Sequence, residues 1–470
     1  MKKSIICFLI AVSLLAVVSI GKANSMSHNK ARFLAGISKV TITPPVGAPL
    51  VDNQRRSTGI HDDLYARVLV LSDGKHKAAI VCLDLEGFDL SWSDHVREMV
   101  RAKTGIAVTL LNSTHTHSAP FLMPWNPLRD EWFQQGEGLQ WKERLAAKIV
   151  DAVARANAGI TEVDLRAGRA PVQVGANRRL PTENGIVMKP NPDGAVVPWV
   201  DVLRVDDAAG NPVAILLSHA AHPVIIHGSS TLISADYPGY AVKEVEQKFG
   251  GNVMALFAQG CCGNINGEPL RGGFDAAERA GEKLGAAVVQ AAIESKRIGR
   301  GALKMSSSVI DLPFQDWDLG ECRQALAEAE ERLAKAGDNV SVRDEVLRLR
   351  DLAAKAERGE RQTLRFEMQM LAIGKAWCLL TMPHEVFAEY QLWADKESPF
   401  AQTMVLAYTG GCESYVPTDR DFPLGGYEAT QPPEKGAAAL GYPYRAALKP
   451  GTEGQIKSEI RRLFQKTFRK

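Results

Sequence analysis

Five short apolar runs in the chain each end in a segment carrying side chains that can ligate a metal or move a proton. Val108 to Leu111 leads into Thr114-His115-Thr116-His117, and Ile215 to Leu217 into Ser218-His219-Ala220-Ala221-His222-Pro223. Val253 to Phe257 leads into Gly260-Cys261-Cys262-Gly263-Asn264, Leu379 to Thr381 into Pro383-His384-Glu385, and Val405 to Ala407 into Gly410-Gly411-Cys412-Glu413-Ser414-Tyr415. In open α/β sheets, ligands bind beyond the carboxyl ends of strands, so five such loops can converge on one crevice. Zn²⁺ takes N, O or S ligands and, where it is catalytic, keeps one position open for water. A His-x-His pair with a distant His and a Glu supplies such a set. A single histidine in such a loop reads more readily as a structural hydrogen-bonder, but several together favour a metal centre.

The elements that must position these loops are legible as alternating patterns. Arg67 to Leu71, Ala78 to Leu83, Ala107 to Leu111, Val213 to Leu217, Val253 to Phe257, Trp377 to Thr381 and Thr403 to Ala407 have the length and apolarity of buried strands. Helical periodicity covers Ser91 to Thr104, Trp141 to Ala156, Tyr237 to Phe249, Asp275 to Glu294 and His384 to Ala394. The alternation predicts an α/β fold, a layered mixed sheet with covering helices. Leu319 to Gly359, rich in Ala, Glu, Arg and Leu, reads as a helical hairpin insertion that turns at Gly337 to Asn339. Each half holds only about two heptads, which favours a surface excursion over a coiled coil. Pro and Gly are frequent from Pro423 to Gly451, predicting a loop before a final helix from Gly454 to Phe468. Asp236 precedes a helical pattern and reads as its N-cap, outside the site.

At the N-terminus, Met1-Lys2-Lys3 precedes an apolar run from Ile5 to Ile20, followed by the small residues Gly21 and Ala23. That is the order of a signal peptide over residues 1–23, and the run is shorter than the ~20 residues a bilayer span requires. Export to the periplasm or the extracellular space is the expectation, with no lasting membrane span. Removing Lys2, Lys3 and Lys22 takes the net charge from +2 to −1. A near-neutral chain without basic blocks carries no electrostatic footprint for nucleic acid, so its chemistry must lie in a pocket. Apolar content of 45% and charged content of 23% match an ordinary globular protein. Cys82, Cys261, Cys262, Cys322, Cys378 and Cys412 lack the spacing of a disulfide scaffold. A bridge from Cys261 or Cys262 to Cys412, simple burial, and thiolate ligation all remain open, the first two ranking above the third.

At its most chemically loaded positions the sequence resembles the neutral, non-lysosomal ceramidase family, in that family's N-terminal catalytic domain. The resemblance spans roughly Phe33 to Thr430, from Ala35-Gly36-Ile37-Ser38-Lys39-Val40-Thr41-Ile42-Thr43-Pro44 through Gly59-Ile60-His61-Asp62-Asp63-Leu64-Tyr65-Ala66-Arg67. Its most specific element is Thr114-His115-Thr116-His117-Ser118. The resemblance implies His115, His222, Glu385 and Tyr415 as zinc ligands and His117 as the acid/base group. It implies Tyr427, twelve residues after Tyr415, as a second, catalytic tyrosine, and Arg178 of Asn177-Arg178 as a substrate-binding residue. Two departures stand out. The family's serine in a Gly-Asp/Asn-x-Ser-Pro segment is replaced by Asn266 in Gly263-Asn264-Ile265-Asn266-Gly267, and Asn266 cannot act as a hydroxyl nucleophile. The resemblance also lacks the family's C-terminal immunoglobulin-like domain, residues 431–470 reading as a loop and helix that complete the one domain.

The expectation is therefore an exported zinc-dependent hydrolase that cleaves an amide bond in a small-molecule or lipid-like N-acyl substrate. A zinc-bound water needs no serine, because the metal lowers its pKa to about 7. Tyr427 and the metal would stabilise the oxyanion while His117 carries the proton to the leaving group. The competing readings are a zinc-dependent hydrolase of an ester or carbohydrate linkage, and a non-catalytic binding protein that keeps its metal.

Overall fold

Strand formation follows the apolar runs, because a strand buried on both faces must be apolar at nearly every position. The computed structural model describes residues 33–50, 56–122, 132–299, 301–315, 318–337, 339–429 and 447–469. The expected signal peptide, residue 338 of the hairpin turn, and residues 430–446 of the loop-rich segment lie outside the described residues.

The main sheet comprises β1 (Phe33–Thr41), β2 (Tyr65–Ser72), β3 (Lys77–Leu83), β4 (Val108–Ser113), β5 (Thr161–Pro171), β6 (Trp199–Asp206), β7 (Pro212–His219) and β8 (Met254–Gln259). Their order across the sheet is β8-β7-β6-β5-β1-β2-β3-β4, with the two-residue strand Lys296–Arg297 beside β5. Pairing is antiparallel except for β7 with β8 and β3 with β4, the two outermost pairs. A second sheet, β9 (Leu303–Pro313), β10 (Thr363–Ile373), β11 (Trp377–Thr381) and β12 (Gln402–Leu406), ends in another parallel pair, β11 with β12. The sequence pattern predicts one main sheet; the described residues form two large ones, stacked face to face, with several two-stranded ribbons besides.

Alternation along β7 shows how the layers form. Ala214 and Leu216 point to one face and join Leu371, Ile373, Leu379, Met404 and Leu406 of the second sheet in a shared core. Ile215 and Leu217 point to the other, against Tyr237, Ala241 and Val245 of one helix and Leu284 and Val288 of the next. Four helices cover that outer face: α1 (Leu90–Thr104), α2 (Gly136–Ala158), α3 (Asp236–Lys248) and α4 (Phe274–Glu294). The hairpin forms as α5 (Leu319–Ala336) and α6 (Val340–Glu357), closed by its own small core around Ala329, Val346, Leu349 and Leu352. The outer face of the second sheet is covered by α7 (Ala388–Glu397) and α8 (Thr452–Arg469), with Ile456, Ile460, Leu463 and Phe464 buried beneath. The layer order is helix, sheet, sheet, helix. No helix among the described residues is long and apolar enough to cross a membrane.

Three sequence expectations are corrected. The helix predicted from His384 begins at Ala388, since His384 takes a left-handed backbone (φ 68°) and Glu385–Val386 instead pairs in parallel with Tyr415–Val416. Strands β1, β5, β6, β9 and β10 escape the apolar-run criterion because polar residues interrupt them, as in Thr161-Glu162-Val163-Asp164-Leu165-Arg166, where only alternate positions are buried. Asp236 is not the N-cap of α3: Ala235 holds that position, and Asp236 is the first helical residue with φ 56°. Its carboxylate accepts from the amides of Tyr237 (2.6 Å) and Ile226 (2.9 Å), tying the loop after His222 to the helix.

Candidate metal centre

The two sheets are stitched together at their carboxyl ends by Asn112. Its amide nitrogen donates to the Ala407 carbonyl (2.7 Å) and to Thr409 Oγ1 (3.0 Å), while its side-chain oxygen accepts from the Gln259 amide (2.9 Å). One side chain on β4 thus fixes the exits of β8 and β12. Every loop that carries a candidate ligand leaves from this seam or beside it.

His115 follows β4 in a left-handed conformation, φ 65°, which costs a non-glycine residue on the order of 1–3 kcal/mol and persists only where its surroundings impose it. Here its amide donates to the Leu85 carbonyl (2.9 Å) and its Nδ1 lies 2.5 Å from the Glu86 carbonyl. A carbonyl can only accept, so Nδ1 carries the hydrogen and Nε2 presents a lone pair. His222, beyond β7, is held likewise, with Nδ1 2.7 Å from the Cys262 carbonyl and 3.0 Å from that of Ile265. The loop supplying those carbonyls packs tightly at Gly263, where a Cβ would come within 2.4 Å of the Glu385 carbonyl oxygen, so only glycine fits. Glu385 is placed by its parallel pairing with Tyr415 and by its amide's bond to the Ser414 carbonyl (3.0 Å).

These backbones aim four polar atoms at one point. Glu385 Oε2 lies 2.9 Å from His222 Nε2 and 3.5 Å from His115 Nε2, and His117 Nε2 lies 3.2 Å from His115 Nε2. One nitrogen from each of His115, His117 and His222 falls within 4.8 Å of the others. The separations of 2.9, 3.2 and 3.5 Å are close to the roughly 3.3 Å between donors that stand about 2.0–2.1 Å from a tetrahedral ion. His115, His222 and Glu385 are buried, whereas His117 is partly open to the cleft.

The electrostatics agree with lone pairs held ready. Burial pushes His222 down to about 4, aided by the Arg178 charge, and burial with the neighbouring His115, His227 and His222 pushes His117 well below its usual value. Burial would raise the Glu385 carboxyl, but His115 and His222 outweigh it and hold it well below the usual carboxylate range. Neutral imidazoles beside an ionised carboxylate are the protonation states a cation requires. Tyr408 Oη lies 3.3 Å from Glu385 Oε2, with Cys262 Sγ 3.2 Å behind it. Sequence reasoning passed over Tyr408, although it directly follows the run Val405 to Ala407.

Tyr415 and Tyr427 come together as expected, ring centroids 5.6 Å apart at 68°. Tyr415 is buried, while Tyr427 is 58% exposed, at the edge of the site. Burial, then the Glu385 charge, raises the Tyr415 phenol well above its usual value, against the lowering effect of Arg178. Arg178 is buried with its guanidinium 5.5 Å from the Tyr415 ring centroid. Its Nε donates to Glu428 Oε1 (2.8 Å), Nη1 to Asn266 Oδ1 (3.0 Å) and Nη2 to the Gly263 carbonyl (2.8 Å). Arg179 pairs with Glu428 Oε2 (2.5 Å) and Asp421 (3.3 Å), which separates the roles of the two arginines. Glu428 bridges both and was not singled out in the sequence, where only its place beside Tyr427 could have signalled it.

His219, three residues before His222, stands apart from the cluster. Its Nδ1 lies 2.9 Å from the Trp199 carbonyl, and burial pushes it down to about 4. All six cysteines among the described residues are buried free thiols, so no bridge joins Cys261 or Cys262 to Cys412.

A family profile described as neutral/alkaline non-lysosomal ceramidase, N-terminal, matches residues 33–282. Among solved structures, the chain is similar to neutral ceramidase from Pseudomonas aeruginosa, with a TM-score of 0.68 and 19% identity over 93% of this chain and 74% of that one. It is also similar to a ceramidase complexed with C2, with a TM-score of 0.67 and 18% identity over 92% of this chain and 74% of the other. No sequence among curated proteins matches the chain.

Proposed function

We propose, because this chain belongs to the neutral/alkaline non-lysosomal ceramidase family, that it is an exported zinc-dependent hydrolase acting on the amide bond of an N-acyl, lipid-like substrate. The observation that carries the proposal is the convergence of His115, His222 and Glu385 on one point, with His117 on its open side. We assign His115, His222, Glu385 and Tyr415 as the residues that would hold the ion. Zinc bound there would polarise the scissile carbonyl and lower the pKa of a water to about 7.

The chain's own groups have separate tasks. His117, neutral and facing the cleft, takes the proton of the attacking water and returns it to the leaving amine. Tyr427 donates its hydroxyl hydrogen to the oxygen that gains charge in the transition state. Asn266 has no hydroxyl to offer, so the reaction runs without a covalent acyl intermediate on this residue. The partly exposed Tyr427 sets the entrance.

The test is metal analysis of the purified full chain, followed by assay of N-acyl lipids with and without a chelator. One zinc per chain, and hydrolysis abolished by chelation and restored by zinc, is the expected result. An active protein free of metal would refute the proposal. Export rests on the order of residues 1–23, and N-terminal sequencing of secreted protein should begin after Ala23.

A further inference from the structure

Arg178 is the group whose surroundings fit a substrate clamp least. A guanidinium has five N–H donors in a fixed fork, and three are committed to Glu428, Asn266 and the Gly263 carbonyl, all at 2.8 to 3.0 Å. The group is buried, and the ring it faces is that of Tyr415, not open cleft. A guanidinium stays charged in a protein, and Glu428 bonds it directly, so a permanent cation sits beside the phenol.

The three partners come from two parts of the fold, Gly263 and Asn266 from one loop and Glu428 from another. Glu428 lies just after Tyr427, and its other oxygen is anchored by Arg179. Asn266 lies in the short strand Ile265–Gly267, which pairs with Gly175–Asn177 next to Arg178 and forms a backbone bridge to His222. The asparagine side chain therefore has its backbone tied to one candidate ligand while its oxygen holds the arginine that packs on another.

The geometry points to Asn266 as a positioning residue that acts through Arg178 on Tyr415, aligning the tyrosine oxygen for the metal. Arg178 on this account contacts the metal ligand and not the substrate. Rotating the guanidinium away from Tyr415 would break three hydrogen bonds at once, so the tyrosine side chain meets a rigid cationic wall. This rests on Tyr415 being a metal ligand, and the test separates the two claims.

Zinc affinity of the metal-free full chain is measured by calorimetric titration for wild type, Asn266→Ala, Asn266→Asp, Tyr415→Phe and the Asn266→Ala/Tyr415→Phe double variant, with thermal unfolding as a check on folding. Hydrolysis of an N-acyl lipid gives kcat and KM for each. Outer partners of metal ligands typically contribute about 10–100-fold to metal affinity. The expected result is a loss in that range for Asn266→Ala, with kcat falling and KM little changed. Asn266→Asp, which keeps an acceptor for Arg178, should stay near wild type. In the double variant the loss should be no greater than for Tyr415→Phe alone, because coupled residues are non-additive. Wild-type zinc affinity in Asn266→Ala with a raised KM would overturn the inference and return Arg178 to the substrate. If Tyr415→Phe also binds zinc as wild type does, the ligand assignment of Tyr415 fails with it.

Discussion

Glu385 and Tyr415 lie directly opposite one another in a two-residue parallel strand pair, although thirty positions separate them in the chain. The pair continues the partnership of β11 and β12, whose register runs Trp377 with Gln402 through Thr381 with Leu406. The same sheet geometry that builds the core thus delivers a carboxylate and a phenol side by side. Left-handed backbones at His384 and Tyr408 mark the turns before the pair, and Glu385 reaches His222 and His115 from it.

Removing a ligand should remove the ion. Glu385→Ala or His222→Ala is expected to lose bound zinc and to lower kcat/KM by more than the about 10–100-fold typical of outer partners. Zinc at a hundred times its dissociation constant should stabilise the wild type by about 2.7 kcal/mol, and these variants by much less. Urea unfolding with and without zinc measures both.

His117, on the open side of the cluster, and His219, outside it, should behave oppositely. His117→Ala is expected to fold and to lose about 10²–10⁴-fold in kcat, the usual contribution of a positioned acid/base group. His219→Gln should leave zinc content unchanged and lower stability instead, since His219 is buried against the Trp199 carbonyl and outside the cluster. Metal content and kcat for both variants decide the matter.

Asn112→Ala should weaken the joint between the sheets. It takes the side-chain acceptor from the buried Gln259 amide, at a cost of about 1–3 kcal/mol, and removes one of two donors to the Ala407 carbonyl, which keeps Thr409 Oγ1. The expected loss in unfolding free energy is about 2 kcal/mol. A urea midpoint equal to that of wild type would refute it.

Asp236 predicts a pH dependence of stability. Burial raises its carboxyl from the usual 3.8 to about 7, the charge of Asp62 adding to the effect. A folded-state value above the unfolded one means that the folded protein binds the extra proton. The contribution is fully present below about pH 4 and is lost as the pH rises through about 7. Asp236→Asn cannot titrate, so the difference in unfolding free energy between wild type and variant should shift against the wild type across that window. Denaturant titrations at several pH values provide the check.

The residue types of the centre were legible because ligand chemistry is a property of side chains, and because short apolar runs mark the strands that carry them. His115, His117, His222 and Glu385 meet in the cluster, Tyr415 pairs with Glu385 through the backbone and Tyr427 packs on Tyr415, and the layered α/β class followed from alternation alone. The second sheet was not legible, since packing one sheet on another is a choice between faces that a linear pattern leaves equivalent. Nor was the early end of α7: His384 to Phe387 has helical spacing, but pairing with Tyr415–Val416 supplies the backbone bonds that a helix would otherwise make.

What the sequence determined by itself was the set of groups available for chemistry and the elements that present them, both being local properties. Which groups meet was decided by tertiary structure. Arg178, Asn266 and Glu428 span 250 positions, and no local propensity places one carboxylate against that arginine in preference to another. Only burial does so, because a buried guanidinium without several close acceptors would cost more than the fold can spare.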